Sequence, residues 1–407
     1  MSAQPRSILF NPGGPGGSGS GVIVGLGETI STMVDGRYDT IGFDPRAVNL
    51  TGPSTACHDV ELKFAERAYQ LHTQGVPFPY VGGSGEIAHV AKLSAIQSSH
   101  HAVCVQNGNH EMLRNSGTVA VAKDMERIVE ALGEDGLNFI GYSYGTILGA
   151  TFAAMRPNLI KRMVLDGISD AEAYFNDALE WGRSGIQDSH KTFAGFISTC
   201  IDAGPVRCVL ASTRDNKTET VDGLTKRLNA LHTKLGKEPL VTGDSLTGPG
   251  IIQAHNVQLI VFTLIYNPRD WLALAQMEGY TDYFREMGKI SPVGEQLALI
   301  IGGCRGWSFR ASERYTGPWT TEKGLNKTKF GHPSFSHPSL CTAKNIRDYF
   351  VDGKVPKNGT YCTPEPGWIY PASNATSKRP MLNKRDKDLL EAVKKIGRMI
   401  FRMPVGF

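Results

Sequence analysis

The chain has little excess charge of either sign. Its 43 Lys and Arg against 39 Asp and Glu leave a net charge of +4, too small to argue for a nucleic-acid partner. It also lacks any apolar run near the roughly 20 residues that a membrane-spanning helix needs. The most apolar stretch, Val257 to Tyr266, is short and bounded by Asn256 and Asn267. No internal repeat or low-complexity tract is present. The cysteines, Cys57, Cys104, Cys200, Cys208, Cys304, Cys341 and Cys362, show no C-x-x-C spacing of the zinc-ligand kind, so neither a metal nor a cofactor is expected. The start, Met1-Ser2-Ala3-Gln4-Pro5-Arg6, leads straight into an apolar strand, and no signal peptide is read there. Aspartate is missing between Asp282 and Asp348.

What is present is a serine in a demanding context. Gly141-Tyr142-Ser143-Tyr144-Gly145 lies between an expected strand, Leu137 to Tyr142, and an expected helix from about Thr146 to Met155. A G-x-S-x-G turn from strand to helix lifts a serine hydroxyl clear of a parallel sheet. Upstream, Val121, Met125, Ile128, Val129 and Leu132 recur at helical spacing, with Gly133 as a C-cap. Downstream, Arg162 to Leu165 reads as a short buried strand closing on Asp166-Gly167. This alternation implies an α/β fold with a mainly parallel sheet. Directly after the strand Ser7 to Phe10 comes Asn11-Pro12-Gly13-Gly14-Pro15-Gly16-Gly17-Ser18-Gly19. A glycine-rich turn there can offer backbone N–H groups to an oxyanion. Serine and oxyanion turn together point to acyl transfer to water.

Cys200 and Cys208 bracket a short Gly-Pro turn, as a local disulfide would, and N-x-S/T sequons occur at Asn49, Asn216, Asn326, Asn358 and Asn374. Together these favour an oxidising, secretory history.

The combination of "NPGGPGGSG", "YDTIGFDPR", "LNFIGYSYGTILGATFA", "RMVLDGISD", "GHPSFSHPSLC" and "IRDYFVDGKVPKNGTYC" resembles the α/β-hydrolase serine peptidases of the tripeptidyl-aminopeptidase and prolyl-aminopeptidase type, particularly secreted fungal and actinomycete members. The resemblance implies an α/β-hydrolase fold with a helical cap insertion. It makes Ser143 the nucleophile and His332 its base, with the backbone N–H groups of Gly14 and Tyr144 as the oxyanion hole. It also implies the disulfides Cys57–Cys104, Cys200–Cys208 and Cys341–Cys362, with Cys304 left over.

Against that pattern the third triad member is missing. An acid is expected on a strand between the serine and the histidine. The span from Trp319 to His332 is polar and too short for a strand of about six residues, a crossover of about ten more and a second strand. The expectation is a loss of the acid-bearing segment, a second loss suggested by the unpaired Cys304, and a sheet incomplete at both ends. A shortened gene model and a degenerate paralogue both fit. Asp166 is the candidate substitute acid, set against a purely structural role for it. Asp44 and Arg46 read as a salt-bridged loop that orients the oxyanion turn, with Ala47 where relatives usually have glycine.

The chain divides into a first part of the core over 1–167, a cap over 168–302, a core return over 303–363 and a tail over 364–407. Cap helices are expected over Ala171 to Gly185, His190 to Cys200, Thr218 to Leu235, Gly250 to Tyr266 and Arg269 to Met287. Asp170, Glu172 and Glu180 are candidates to hold the free amine of a peptide. A tail helix from about Lys384 to Arg402 carries an apolar stripe expected to pack on its own domain. The functional expectation is a peptide-cleaving serine hydrolase. An ester or thioester hydrolase and a non-catalytic descendant are the alternatives, with a peptide or small ester as ligand.

Overall fold

A computed structural model describes residues 6–58, 84–213, 217–242, 250–276, 326–327, 332–370 and 382–399, with a few positions between 60 and 70. The expected leftover Cys304, the Trp319 end of the shortened span and most of the expected helix from Arg269 lie outside these residues.

Four strands form the central sheet among the described residues: β1 (Arg6–Asn11), β2 (Tyr38–Gly42), β3 (Leu137–Tyr142) and β4 (Ile160–Asp166), in the order β2-β1-β3-β4 and all parallel. Alternation along the strands builds two layers of core. Ile8 and Phe10 of β1 pack with Ile140 and Tyr142 of β3 on one face, while Leu9, Leu137 and Phe139 enter the other. The first face is covered by α1 (Gly19–Met33), whose Val22, Leu26, Ile30 and Met33 are buried. The second is covered by α4 (Thr118–Ala131) and α5 (Tyr144–Met155), which follow α2 (Ser84–Asn107) and α3 (His110–Asn115) in the chain. Val121, Met125 and Val129 of α4 point inward as their spacing predicts, and Gly133 just beyond takes φ 66°.

After β4 the chain runs through α6 (Ala171–Asn176), α7 (Ala178–Ile186), α8 (Ser189–Ala203), α9 (Val221–Lys237) and α10 (Ala254–Leu264). The expected single helix from Ala171 breaks at Asp177, whose carboxylate accepts from the N–H groups of Leu179 and Glu180 and starts a new helix. The expected helix from Gly250 begins only at Ala254. Gly250–Ile252 instead pairs antiparallel with Leu240–Thr242, and Gln253 with Asn256 then forms a capping box. The elements from α8 to α10 share a separate apolar cluster that includes Phe196, Leu224, Leu228, Leu231, Leu235 and Trp271, whereas Tyr174 of α6 and Trp181 of α7 pack against the second core face of the sheet.

The chain returns to the core through α11 (Leu340–Asp352) and α12 (Lys384–Met399). Leu389, Val393 and Ile396 of α12 are buried against α1 and α11, so the tail stripe packs on its own domain as expected. Disulfides join Cys57 to Cys104, Cys200 to Cys208 and Cys341 to Cys362. Among the described residues, no helix is long and apolar enough to cross a membrane.

Candidate active site

β1 and β3 are neighbours whose connections leave toward opposite faces, and a crevice at their carboxyl ends is where open α/β sheets take ligands. Ser143 stands there, at the tip of β3. Its backbone has φ 56° and ψ −123°, a conformation that costs a non-glycine residue roughly 1–3 kcal/mol. Its neighbours hold it there. The Ser143 N–H donates to the Asp166 carbonyl at 3.1 Å, and its carbonyl accepts from Thr146 through N–H at 2.8 Å and Oγ1 at 2.6 Å. Gly141 and Gly145 let the turn close: a Cβ on Gly145 would lie 2.8 Å from the Asn11 carbonyl oxygen, and one on Gly141 would collide with the Gly145 carbonyl. Ser143 is 8% exposed.

The glycine turn lies directly against this elbow. Gly13, Gly14 and Gly16 have φ of 96°, 115° and 104°, values that side chains rarely tolerate. A Cβ on Gly13 would run into the Tyr142 carbonyl and sit 2.7 Å from Ser143 Cβ and 3.0 Å from the Tyr144 nitrogen. Gly13, the residue before the expected donor Gly14, therefore lies against both Ser143 and the Tyr144 nitrogen. Asn11, given no role of its own by the sequence, braces the turn by accepting from the Gly13 N–H at 3.0 Å while 1% exposed. The Tyr144 side chain points away: its hydroxyl bonds Thr118 Oγ1 at 2.8 Å, and burial pushes the phenol up to about 12.

Asp44 supports the turn from behind. It accepts from Ser18 Oγ at 2.7 Å, Ser20 Oγ at 2.6 Å, the Ser20 N–H at 3.1 Å and Asn49 Nδ2 at 2.9 Å. Burial alone would raise its carboxyl, but the hydrogen bonds from Ser20, Ser18 and Asn49 outweigh it and hold the group below the usual carboxylate range. Arg46 makes a two-pronged bond to Asp124 at 2.6 and 2.7 Å rather than to Asp44. The loop is salt-bridged as expected, but to α4. Ala47 takes φ 63°.

His332 is 2% exposed and lies beside the end of β4, where a Cβ on Gly167 would be 2.5 Å from its Cε1 and 2.8 Å from its Nδ1. Its N–H donates to the Tyr266 carbonyl at 3.1 Å, and the two rings meet edge to face with centroids 4.9 Å apart. The Tyr266 phenol is in turn hydrogen-bonded to the Ser143 side chain, and burial keeps it protonated well above its ordinary range. Tyr266 thus touches both nucleophile and expected base. Nothing in its sequence context signals this, since it closes an ordinary apolar helix.

Asp166 accepts from Ser334, two residues past the histidine, through both oxygens: from the N–H at 2.9 Å and from Oγ at 3.1 Å. Burial first, then the Asp166 charge, push the Tyr142 phenol well up. His337 is also buried, at 4% exposure. Of the acids expected to hold an amine, Asp170 caps α6 by accepting from the Ala173 N–H at 2.9 Å, while Glu172 and Glu180 are exposed in first turns of helices.

The family described as alpha/beta hydrolase fold matches residues 6–203. Serine protease Hip1 of Mycobacterium tuberculosis is 34% identical over 191 residues, which is 46% of this chain and 34% of that protein. The tripeptidyl aminopeptidase of Streptomyces lividans is 31% identical over 169 residues, 41% of this chain and 29% of that enzyme. Carboxylesterase B of M. tuberculosis is 28% identical over 267 residues, 65% of this chain and 46% of its own length. The matched part thus spans about a third of the length of the two peptidases.

Proposed function

We propose that this chain, whose residues 6–203 have the alpha/beta hydrolase fold, is a serine hydrolase that cleaves peptides near a free amino terminus through an acyl-enzyme. The observation that carries this reading is the strained Ser143 lying against the Gly13–Gly14 turn. Ser143 Oγ attacks the scissile carbonyl, and His332 takes its proton and passes it to the leaving amine. The oxygen that gains charge is held by the N–H groups of Tyr144 and Gly14. Water then repeats the sequence on the ester. Asp166 acts as a positioning residue, holding the His332 loop through Ser334. The segment expected as the cap, 168–302, is described only as far as residue 276, and Asp170, Glu172 and Glu180 remain its candidate amine-holding groups.

Ester cleavage is the second reading, favoured by the likeness to carboxylesterase B over 65% of the chain. Turnover of short peptide amides with free and with acetylated amino termini, beside p-nitrophenyl esters, separates the two. Preference for free-amine peptides supports the peptidase, and turnover of esters alone contradicts it. We further propose passage through an oxidising compartment, supported by the three disulfides. Asn358 presents an exposed sequon, whereas the Asn49 side chain is engaged with Asp44.

A further inference from the structure

The disulfide beside α2 sits in a group of imidazoles that the hydrolase chemistry does not use. Cys57, His100 and Cys104 bring their ligand atoms within 4.8 Å of one another. His100 and Cys104 are one turn apart on the same face of α2, and His100 Nε2 lies 3.7 Å from Cys104 Sγ. Two ligands on a tetrahedral zinc ion, with Zn–N near 2.0 Å and Zn–S near 2.3 Å, stand about 3.6 Å apart. His58 stacks on His100, with ring centroids 5.1 Å apart, and its Nε2 lies 3.0 Å from His100 Nδ1. When that contact takes up the Nδ1 proton, the lone pair of His100 Nε2 faces the sulfurs. An outer partner of this kind fixes the tautomer of metal-bound histidines.

We propose that Cys57, Cys104 and His100 form a thiol-gated zinc site, closed as a disulfide here and opened by reduction, with His58 as the residue that orients His100. A phosphine reductant supplies the two electrons: it takes the oxygen of one water and becomes the phosphine oxide, while the water's two hydrogens complete two thiols. Zinc then displaces both thiol protons and binds two thiolates and one neutral imidazole, with the fourth position left to water. Cys57 is buried, but His100 and Cys104 are half-exposed, so reductant and ion can reach them. The sequence hides this site because its ligands come from two distant segments rather than from a C-x-x-C turn.

Cobalt(II) titration of the full chain tests the proposal, before and after phosphine reduction, with alkylation mapping of every cysteine. The expected result is one cobalt per reduced chain with a thiolate-to-cobalt charge-transfer band, and protection of Cys57 and Cys104 from alkylation. Substituting His100→Gln weakens binding by more than about tenfold, and His58→Gln by about 10–100-fold. Both variants keep the two cysteines, so they fold through the same oxidised state as the parent. The proposal is overturned if reduced wild-type chain gives no such band. It is equally overturned if His100→Gln binds cobalt as tightly, or if the protected thiols are those of the other disulfides.

Discussion

Around Ser143 the close approaches are mostly backbone against backbone, with the Thr146 and Asn11 side chains as the supports. The Tyr142 carbonyl, the Tyr144 nitrogen, the Asn11 carbonyl and the glycines of the turn meet with no room for a side-chain carbon between them. Around His332 the restraints are side chains and a few hydrogen bonds drawn from distant segments: the Tyr266 ring and carbonyl from just beyond α10, and the Asp166 carboxylate acting through Ser334. The first half of the site is held by the strand ends that carry it. The second half depends on the end of α10 and the sheet meeting correctly, so its stability and its chemistry can be separated by mutation.

The largest effect is expected where backbone meets backbone. Gly13→Ala must place a methyl group between Tyr142 and Ser143 while keeping φ near 96°, and should cost more than about 3 kcal/mol in chemical denaturation. Tyr266→Ala should come next, at roughly 3 kcal/mol for the lost aromatic ring, with the wall beside His332 removed. Tyr266→Phe should recover most of that stability yet leave turnover about 5–10-fold low, because the hydrogen bond to Ser143 is gone and such a bond is worth about 1 kcal/mol. Full activity in the Phe variant would show that the phenol does nothing for the serine.

Gly167→Ala sharpens the contrast. Its φ of 70° costs an alanine roughly 1–2 kcal/mol, but the obstacles are side chains, the His332 ring and the Pro333 Cβ, rather than backbone. Modest destabilisation with turnover reduced as far as in His332→Ala is expected, and turnover near wild type would show that the placement of His332 does not matter to the reaction. The smallest effect runs the other way. Ala47→Gly should raise stability by about 1 kcal/mol in thermal or urea unfolding, by relieving φ 63°.

How much of this could be read from the residues follows the same division. The elbow and the turn were legible because strand, glycine and helix follow one another within a few positions, and only one backbone path satisfies them. The tail stripe of Leu389, Val393 and Ile396 was legible for the same reason, as a periodic pattern. Tyr266 was not, because its meaning comes from docking the end of α10 against the sheet. The sequence left Asp166 between substitute acid and structural residue; its two bonds to Ser334 depend on a contact between distant segments that no local pattern reports. The strand at Gly250–Ile252 was missed because its partner at Leu240–Thr242 decides its conformation.

The most direct test of the account is fluorophosphonate labelling of the folded chain, with the adduct located by mass spectrometry. A working elbow and oxyanion turn predict a single adduct on Ser143, absent in Ser143→Ala and formed on the order of 10³-fold more slowly in His332→Ala. A folded chain that stays unlabelled, or that carries its adduct elsewhere, would contradict it.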